Sequence, residues 1–425
     1  MDSFDPIFPK YGLKSDPYFI EPLLIEGGTV TFESFIGRDK ESKELHKIIS
    51  MDGGRRCMVI GEAGVGKTTL VNYVRSQAKK SSYFSPNDEI RIEDYWKVND
   101  VIINTLQSLY MEIKNKGLKL DDPKLMDVIE DLFQLSTIIK DSNADIDSFM
   151  STNTLQLMDL FKKITNQITK SGYRAIIIQY NNFDNIDDPV YLSRLLNNLR
   201  DFFMNPNVIF IFIGDGNFPH VISFKSRLRQ IFIFPEIQVS TLPYGNVKNI
   251  IEKRILLLRL NPQIQIIRPH SEESLRILYE LYDGNIRDIL NSLSSSVDGN
   301  TVMEASVVRT KEILIEKAKI MFLDKVSPTE LEILNHIIYA SPITNTELAK
   351  KFGKPPQNIS KYLKKLQNIK AIKIHSVDGR QIFYKASPEA MWLKLKVSSE
   401  ELIIEKQNQN QRLVVLQKRL KEYGF

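Results

Sequence analysis

Apolar positions along this chain follow two different spacings, and the switches between them mark out its elements. Cys57 to Ile60, Arg174 to Tyr180 and Val208 to Gly214 are nearly uninterrupted apolar runs, the signature of strands buried on both faces in a parallel sheet. The run Ile231 to Phe234 predicts another strand of the same kind. Between them the spacing becomes helical, over Val98 to Leu109, Pro123 to Leu135, Thr154 to Thr169 and Leu192 to Phe203. Strands alternating with helices predict an α/β core, with Tyr83 to Ser148 an elaboration between its first and next strands. From Tyr244 to Met321 only the helical spacing remains, over Val247 to Leu258, Glu272 to Leu281 and Asn285 to Val297. After Ser327 come three short helices, Thr329 to Tyr339, Asn345 to Phe352 and Gln357 to Leu366. A hairpin follows, Ala371 to Ile374 and Gln381 to Tyr384 around Asp378-Gly379, which is the plan of a winged helix. A Pro- and aromatic-containing lead-in is expected to pack over the α/β core, and Glu400 to Lys421 to form a charged terminal helix.

Composition narrows the class. A chain of 425 residues, 42% hydrophobic and 26% charged, exceeds one ordinary core and is not disordered. No apolar run approaches the roughly 20 residues that span a bilayer, and the first residues lack the blocks of a signal peptide, so a cytoplasmic place and no membrane partner are expected. Cys57 is the single cysteine, which excludes an internal disulfide, and the five histidines have no ligand spacing. The net charge of +5 is modest, but from Ser327 to Lys396 twelve Lys or Arg stand against five Asp or Glu, so that segment favours an acidic partner.

The chemistry concentrates in Gly61-Glu62-Ala63-Gly64-Val65-Gly66-Lys67-Thr68, which fits the phosphate-binding pattern G-x-x-x-x-G-K-[ST] between a strand and a helix. Glycines let successive N–H groups turn around phosphates at a helix N-terminus. Lys67 would bridge the β- and γ-phosphates and Thr68 would take a Mg²⁺ position, which makes ATP or ADP with Mg²⁺ the expected ligand. Near the other end, Thr344 to Gly353 followed by Gln357 to Leu366 has a helix-turn-helix layout. Leu348, Ile359 and Leu363 would hold the helices, leaving Gln357, Asn358, Ser360, Lys361 and Lys364 for the major groove of double-stranded DNA and Arg380 at the wing tip for an adjacent phosphate or minor groove.

This order of features resembles the AAA+ ATPases, and within them the archaeal and eukaryotic origin-recognition and initiator branch. Phe35 to Glu41, the phosphate loop and Gly284 to Leu290 carry the resemblance. It implies a lead-in over 1–34, an AAA+ core over 35–241, a helical lid over 242–322, a winged-helix domain over 323–397 and a terminal helix over 398–425. It also implies that Arg38 lies in the adenine-side motif, that Thr69 continues the nucleotide site, and that Arg287 is the lid arginine that reaches the γ-phosphate. Asn217 beside Asp215 falls at the sensor-1 position, and Arg227 and Arg229 fall where an arginine finger would reach a second copy or another AAA+ partner.

One departure changes the expected chemistry. The strand that should end in Asp-Glu ends in Asn181-Asn182, followed by Asp184. Asn181 could still offer Mg²⁺ a neutral oxygen, but Asn182 cannot accept a proton, and such a loss costs on the order of 10²- to 10⁴-fold in rate. Either Asp184, Asp187 or Asp188 substitutes, or turnover is weak and the nucleotide is a switch. The leading expectation is a nucleotide-dependent, duplex-DNA-binding protein resembling replication initiators. The alternative is a STAND-type regulatory or mobile-element ATPase whose winged helix makes protein contacts or controls transcription. A motor role sits badly with the missing carboxylate.

Overall fold

The computed structural model describes residues 6–51, 53–141, 154–183, 186, 188–297, 302, 304–378 and 381–397. They form two compact units, one from Glu21 to Leu242 and one joining the residues up to Ile20 to those after Pro243. The expected terminal helix lies outside the described residues.

The first unit is built on five strands, β1 (Arg55–Ile60), β2 (Ile90–Arg91), β3 (Ile176–Asn181), β4 (Val208–Gly214) and β5 (Ile237–Gln238), in the parallel order β2-β3-β4-β1-β5. Alternation within the apolar runs sorts their side chains between the two faces. On one face Tyr180, Phe203, Phe210 and Phe212 form an aromatic cluster with Phe183 and Phe218. On the other, Cys57, Val59, Ile177, Ile209, Ile211 and Ile213 pack under the helices Asp39–Ile49 and Lys67–Lys80. Each such ring or branched side chain taken from water contributes about 1.5–3 kcal/mol.

The sheet departs from expectation twice. Residues Ile231 to Phe234 are not a strand. Phe232 is buried against Phe212, 4.9 Å between ring centroids, and Ile233 N–H reaches Arg56 O, but Pro235 has no N–H to continue the ladder and pairing resumes only at Ile237. The segment after Tyr83 is more than an elaboration, because it supplies β2 at the sheet edge before the helices Val98–Asn115 and Lys124–Asp141.

The second unit contains the helices Tyr244–Leu257, Glu272–Leu281, Ile286–Ser296 and Val307–Phe322, then Pro328–Ala340, Asn345–Phe352 and Pro356–Asn368. A small antiparallel sheet, in the order β6-β8-β7, is made from β6 (Ile343–Thr344), β7 (Ile372–Asp378) and β8 (Gln381–Ala386). Two capping boxes start its helices where the sequence reads S-P-T-E and T-N-T-E. Ser327 and Glu330, and Thr344 and Glu347, each exchange side-chain and backbone hydrogen bonds across the first turn.

The lead-in does not cover the α/β core as a whole. Leu13 bridges to Arg259, and Lys14 N–H donates to Leu258 O at 2.7 Å, so Tyr11, Leu13 and Tyr18 are buried with the helices after Pro243. Only from Leu23 does the chain turn to the core, with Asn72 Nδ2 donating to Leu23 O at 2.9 Å. Tyr18 Oη and His270 Nδ1 lie 2.5 Å apart inside the second unit.

Burial, with Arg268 nearby, pushes the His270 imidazole down to about 4, whereas in the unfolded chain it titrates near 6.5. The folded state therefore takes up this proton only near pH 4. Stability is full above pH 6.5 and should fall by about 3 kcal/mol as the pH drops from 6.5 to 4. Urea denaturation at stepped pH values checks this; His270→Gln should flatten that part of the profile.

Candidate functional site

The loop from Gly61 to Thr68 leaves the end of β1 and enters the helix Lys67–Lys80, whose N-cap is Gly66. Two glycines are required by geometry. A Cβ on Gly61, at φ +152°, would meet Val239 O at 2.2 Å, and Gly66 holds φ +96°. These two positions therefore accept glycine alone, as a tight phosphate-binding loop requires. Lys67 Nζ lies across it, donating to Gly61 O and Glu62 O, each at 2.8 Å. Val65 is buried, whereas Glu62 and Ala63 are exposed on the rim and Gly64 and Thr68 are partly so.

Arg38 braces this loop from behind. Its guanidinium donates to Val65 O at 2.8 Å, to Ser240 O at 2.6 Å and to Glu41 Oε1 at 3.0 Å, which ties the phosphate loop to the segment after β5. Thr69 Oγ1 accepts from Leu23 N–H at 3.4 Å and so holds the descending lead-in. Phe35 stacks on Tyr73 at 4.4 Å on the same side.

Register brings the remaining positions of this unit to one edge. Ile60 pairs with Gly214, so Asp215 and Asn217 leave β4 beside the loop. Asp215 Oδ1 accepts from the N–H groups of Asn217 and Phe218 at 3.0 and 3.1 Å, and exposed Asn217 precedes the helix Phe218–Ser223. Arg227 and Arg229 are exposed on the short helix Ser226–Arg229, with Arg229 over the Phe234 ring at 5.3 Å.

β3 ends at Asn181, and Asn182 takes the left-handed conformation, φ +65°. Asp184 and Asp187 lie outside the described residues. Asp188 is committed to a cap, its Oδ1 accepting from Val190 and Tyr191 N–H at 2.8 and 3.1 Å, which sets it aside as a proton acceptor for water.

Asn181 is where the expected metal site and the structure part. Its Oδ1 accepts from Gln179 Nε2 at 3.1 Å, and its Nδ2 donates to Thr68 Oγ1 at 3.2 Å. Toward Thr68 it presents N–H and not oxygen, so these two residues do not fit Mg²⁺ as the sequence led us to expect. Among the described residues no cluster of His, Cys, Asp or Glu could hold a metal ion.

In the second unit, Arg287 is exposed in the first turn of the helix Ile286–Ser296. That helix is joined to the winged-helix region by buried polar contacts. Ser292 Oγ meets both Tyr282 Oη and Trp392 Nε1 at 2.8 Å, Tyr282 Oη reaches Pro388 O at 3.0 Å, and Asn291 donates to Glu389 at 3.1 Å. Burial holds the Asp288 carboxyl above its usual range even though Lys373 and Lys385 draw it down. Sequence reasoning missed this joint because its members are spread from 282 to 392 and no local pattern connects them.

On the helix Pro356–Asn368, Ile359, Leu363 and Leu366 are buried, while Gln357, Asn358, Ser360, Lys361 and Lys364 are exposed. Asn345 Nδ2 donates to Ser360 Oγ at 2.6 Å and joins this helix to the one before it. Arg380 lies outside the described residues.

Residues 34–211 match the family described as AAA ATPase domain. The chain carries an AAA ATPase domain. Its residues 327–373 match the family described as winged helix-turn-helix DNA-binding, so a P-loop α/β domain is followed by a winged helix. Solved structures similar to the chain include the Aeropyrum pernix ORC2 protein in ADPNP-ADP complexes, at 15% identity over 90% of this chain and 97% of that one, TM-score 0.47. The Aeropyrum pernix ORC1 protein in complex with DNA is 12% identical over 87% and 94%, TM-score 0.44, and Drosophila ORC bound to DNA is 12% identical over 93% and 93%, TM-score 0.45. No curated protein matches the chain. No described helix is long and apolar enough to cross a membrane.

Inside the second unit, Ser292→Ala should leave Trp392 Nε1 without this acceptor and remove a hydrogen bond from Tyr282 Oη. A loss of about 1–3 kcal/mol is expected, read as a lower denaturation midpoint with unchanged slope.

Proposed function

We propose that this protein binds ATP or ADP at the Gly61–Thr68 loop and double-stranded DNA through its winged helix, with the bound nucleotide setting DNA affinity, in the manner of an origin-recognition initiator. The observation that carries the reading is the Tyr282-Ser292-Trp392 joint, because it fastens the helix that begins beside Arg287 to the winged helix within one compact unit. A γ-phosphate contact made by Arg287 is then felt at the DNA-binding helix without a flexible linker intervening. Such a contact gives triphosphate and diphosphate different affinities for the two states, which a switch requires.

Lys67 bridges the phosphates in this reading, and the loop N–H groups and the helix N-terminus take their charge. Asparagine at 182 cannot accept a proton and Asp188 Oδ1 is engaged as a cap, which leaves Asp184 and Asp187 as the carboxylates that could activate water; in this reading turnover is slow and the nucleotide serves as a signal. Arg227 and Arg229 face solvent as contacts for a second AAA+ subunit.

Lys361, Lys364, Gln357, Asn358 and Ser360 meet the duplex, with Arg380 reaching from the wing. Duplex affinity measured with no nucleotide, ADP and ATP across a salt series tests the proposal, with released phosphate followed in the same samples. Affinity should depend on the nucleotide, and the double variant Lys361→Ala with Lys364→Ala should reduce the log-log salt slope by about 2. Arg287→Ala should keep nucleotide binding and erase the difference between ATP and ADP. Lys67→Ala should abolish nucleotide binding. A chain that binds no duplex in any state would instead have a protein-contact winged helix.

A further inference from the structure

Behind the phosphate loop, Arg75 is a fully buried arginine in the helix Lys67–Lys80. Burial pushes its guanidinium down to about 10, so it remains charged at neutral pH and remains a donor only. It is pinned by Ser85 Oγ at 2.9 Å and by Pro86 O, and its NH1 donates to Gln179 Oε1 at 2.7 Å.

That contact fixes the polarity of everything beyond it. Gln179 must give Oε1 to the arginine and therefore its Nε2 to Asn181 Oδ1 at 3.1 Å; Asn181 then has only its Nδ2 for Thr68 Oγ1 at 3.2 Å. Turning Asn181 alone would set its amide N–H₂ against that of Gln179. Turning both would set Gln179 Nε2 against Arg75. Either reversal leaves buried donors facing each other, at a cost of about 1–3 kcal/mol. A divalent cation beside Thr68 needs an oxygen from this side, and the relay supplies N–H.

We propose that the Arg75-Gln179-Asn181 relay makes this a cation-independent phosphate site, which binds nucleoside di- or triphosphates through Lys67 and the loop N–H groups with no divalent ion between Thr68 and residue 181. The inference rests on the nucleotide binding proposed above. Arg75 and Gln179 are positioning residues that act through Asn181.

The test is isothermal titration calorimetry of the full chain with ATP and with ADP, in excess Mg²⁺ and in EDTA. The wild-type dissociation constants should agree within about threefold between the two conditions, less than the tenfold that corresponds to 1.4 kcal/mol. Gln179→Glu keeps the side-chain size and offers only acceptors. It still pairs with Arg75 but now accepts from Asn181 Nδ2, which turns Asn181 Oδ1 toward Thr68, so Mg²⁺ should tighten binding about tenfold or more with residue 181 unchanged. Asn181→Asp should give the same gain by placing a carboxylate there directly. A wild-type affinity that drops tenfold in EDTA would overturn the relay while leaving nucleotide binding intact, and so would the absence of a Mg²⁺ gain in both variants. A wild-type chain that binds neither nucleotide in either condition would overturn the nucleotide reading and this inference with it.

Discussion

A strand buried on both faces has no water to complete its backbone hydrogen bonds, so its neighbours must supply all of them. β4 is where that constraint is strictest. Every residue from Val208 to Gly214 is buried, with Ile209 to Gly214 in register with β1 on one side and Val208 to Phe212 in register with β3 on the other. The parallel register that results carries the ends of three strands to one edge, which puts the phosphate loop, Asn181 and Asp215 on the same side of the sheet. The chemistry is thus laid out by backbone pairing first, and side chains elaborate what that pairing has already aligned.

What could be read in the sequence and what could not divides along the same physical line. Features encoded within a few residues were legible: the strand Val208 to Gly214, the loop glycines, and the helices and hairpin after Ser327. Features whose partners are distant in sequence were not. Two-residue β2 has too little pattern to stand out, and it exists because Tyr180 and Asn181 offer it an edge. Ile231 to Phe234 is as apolar as a strand, but its apolarity serves the packing of Phe232, and Pro235 decides the pairing. At the site, the loop was legible residue by residue, whereas the use made of Asn181 was not. Asparagine presents oxygen or N–H according to what it meets, and what it meets is set by Arg75, more than a hundred positions away in sequence.

Buried arginine and buried serine play matching parts in the two units. Arg75 can only donate, and so imposes one direction on a line of amides that could each point either way. Ser292 accepts from Trp392 Nε1 and donates to Tyr282 Oη, whose own proton goes to Pro388 O, and so joins the two rings through a single oxygen. In both places a polar group that is costly to bury is retained where it fixes an orientation that apolar packing would leave open.

The discontinuous make-up of the second unit also bears on how the chain is made. Tyr18 and its partner His270 are 252 positions apart, and Asp16 and Ser294 are 278 apart. At about 5–20 residues per second, the lead-in emerges from a ribosome roughly 13–50 s before the residue Tyr18 will contact has been synthesised. The whole of Glu21 to Leu242 is exposed in that interval, and as a contiguous unit it has all it needs to fold. Tyr11, Leu13 and Tyr18 meanwhile wait in water with their apolar surfaces uncovered. During synthesis, these residues are thus made long before the partners that bury them.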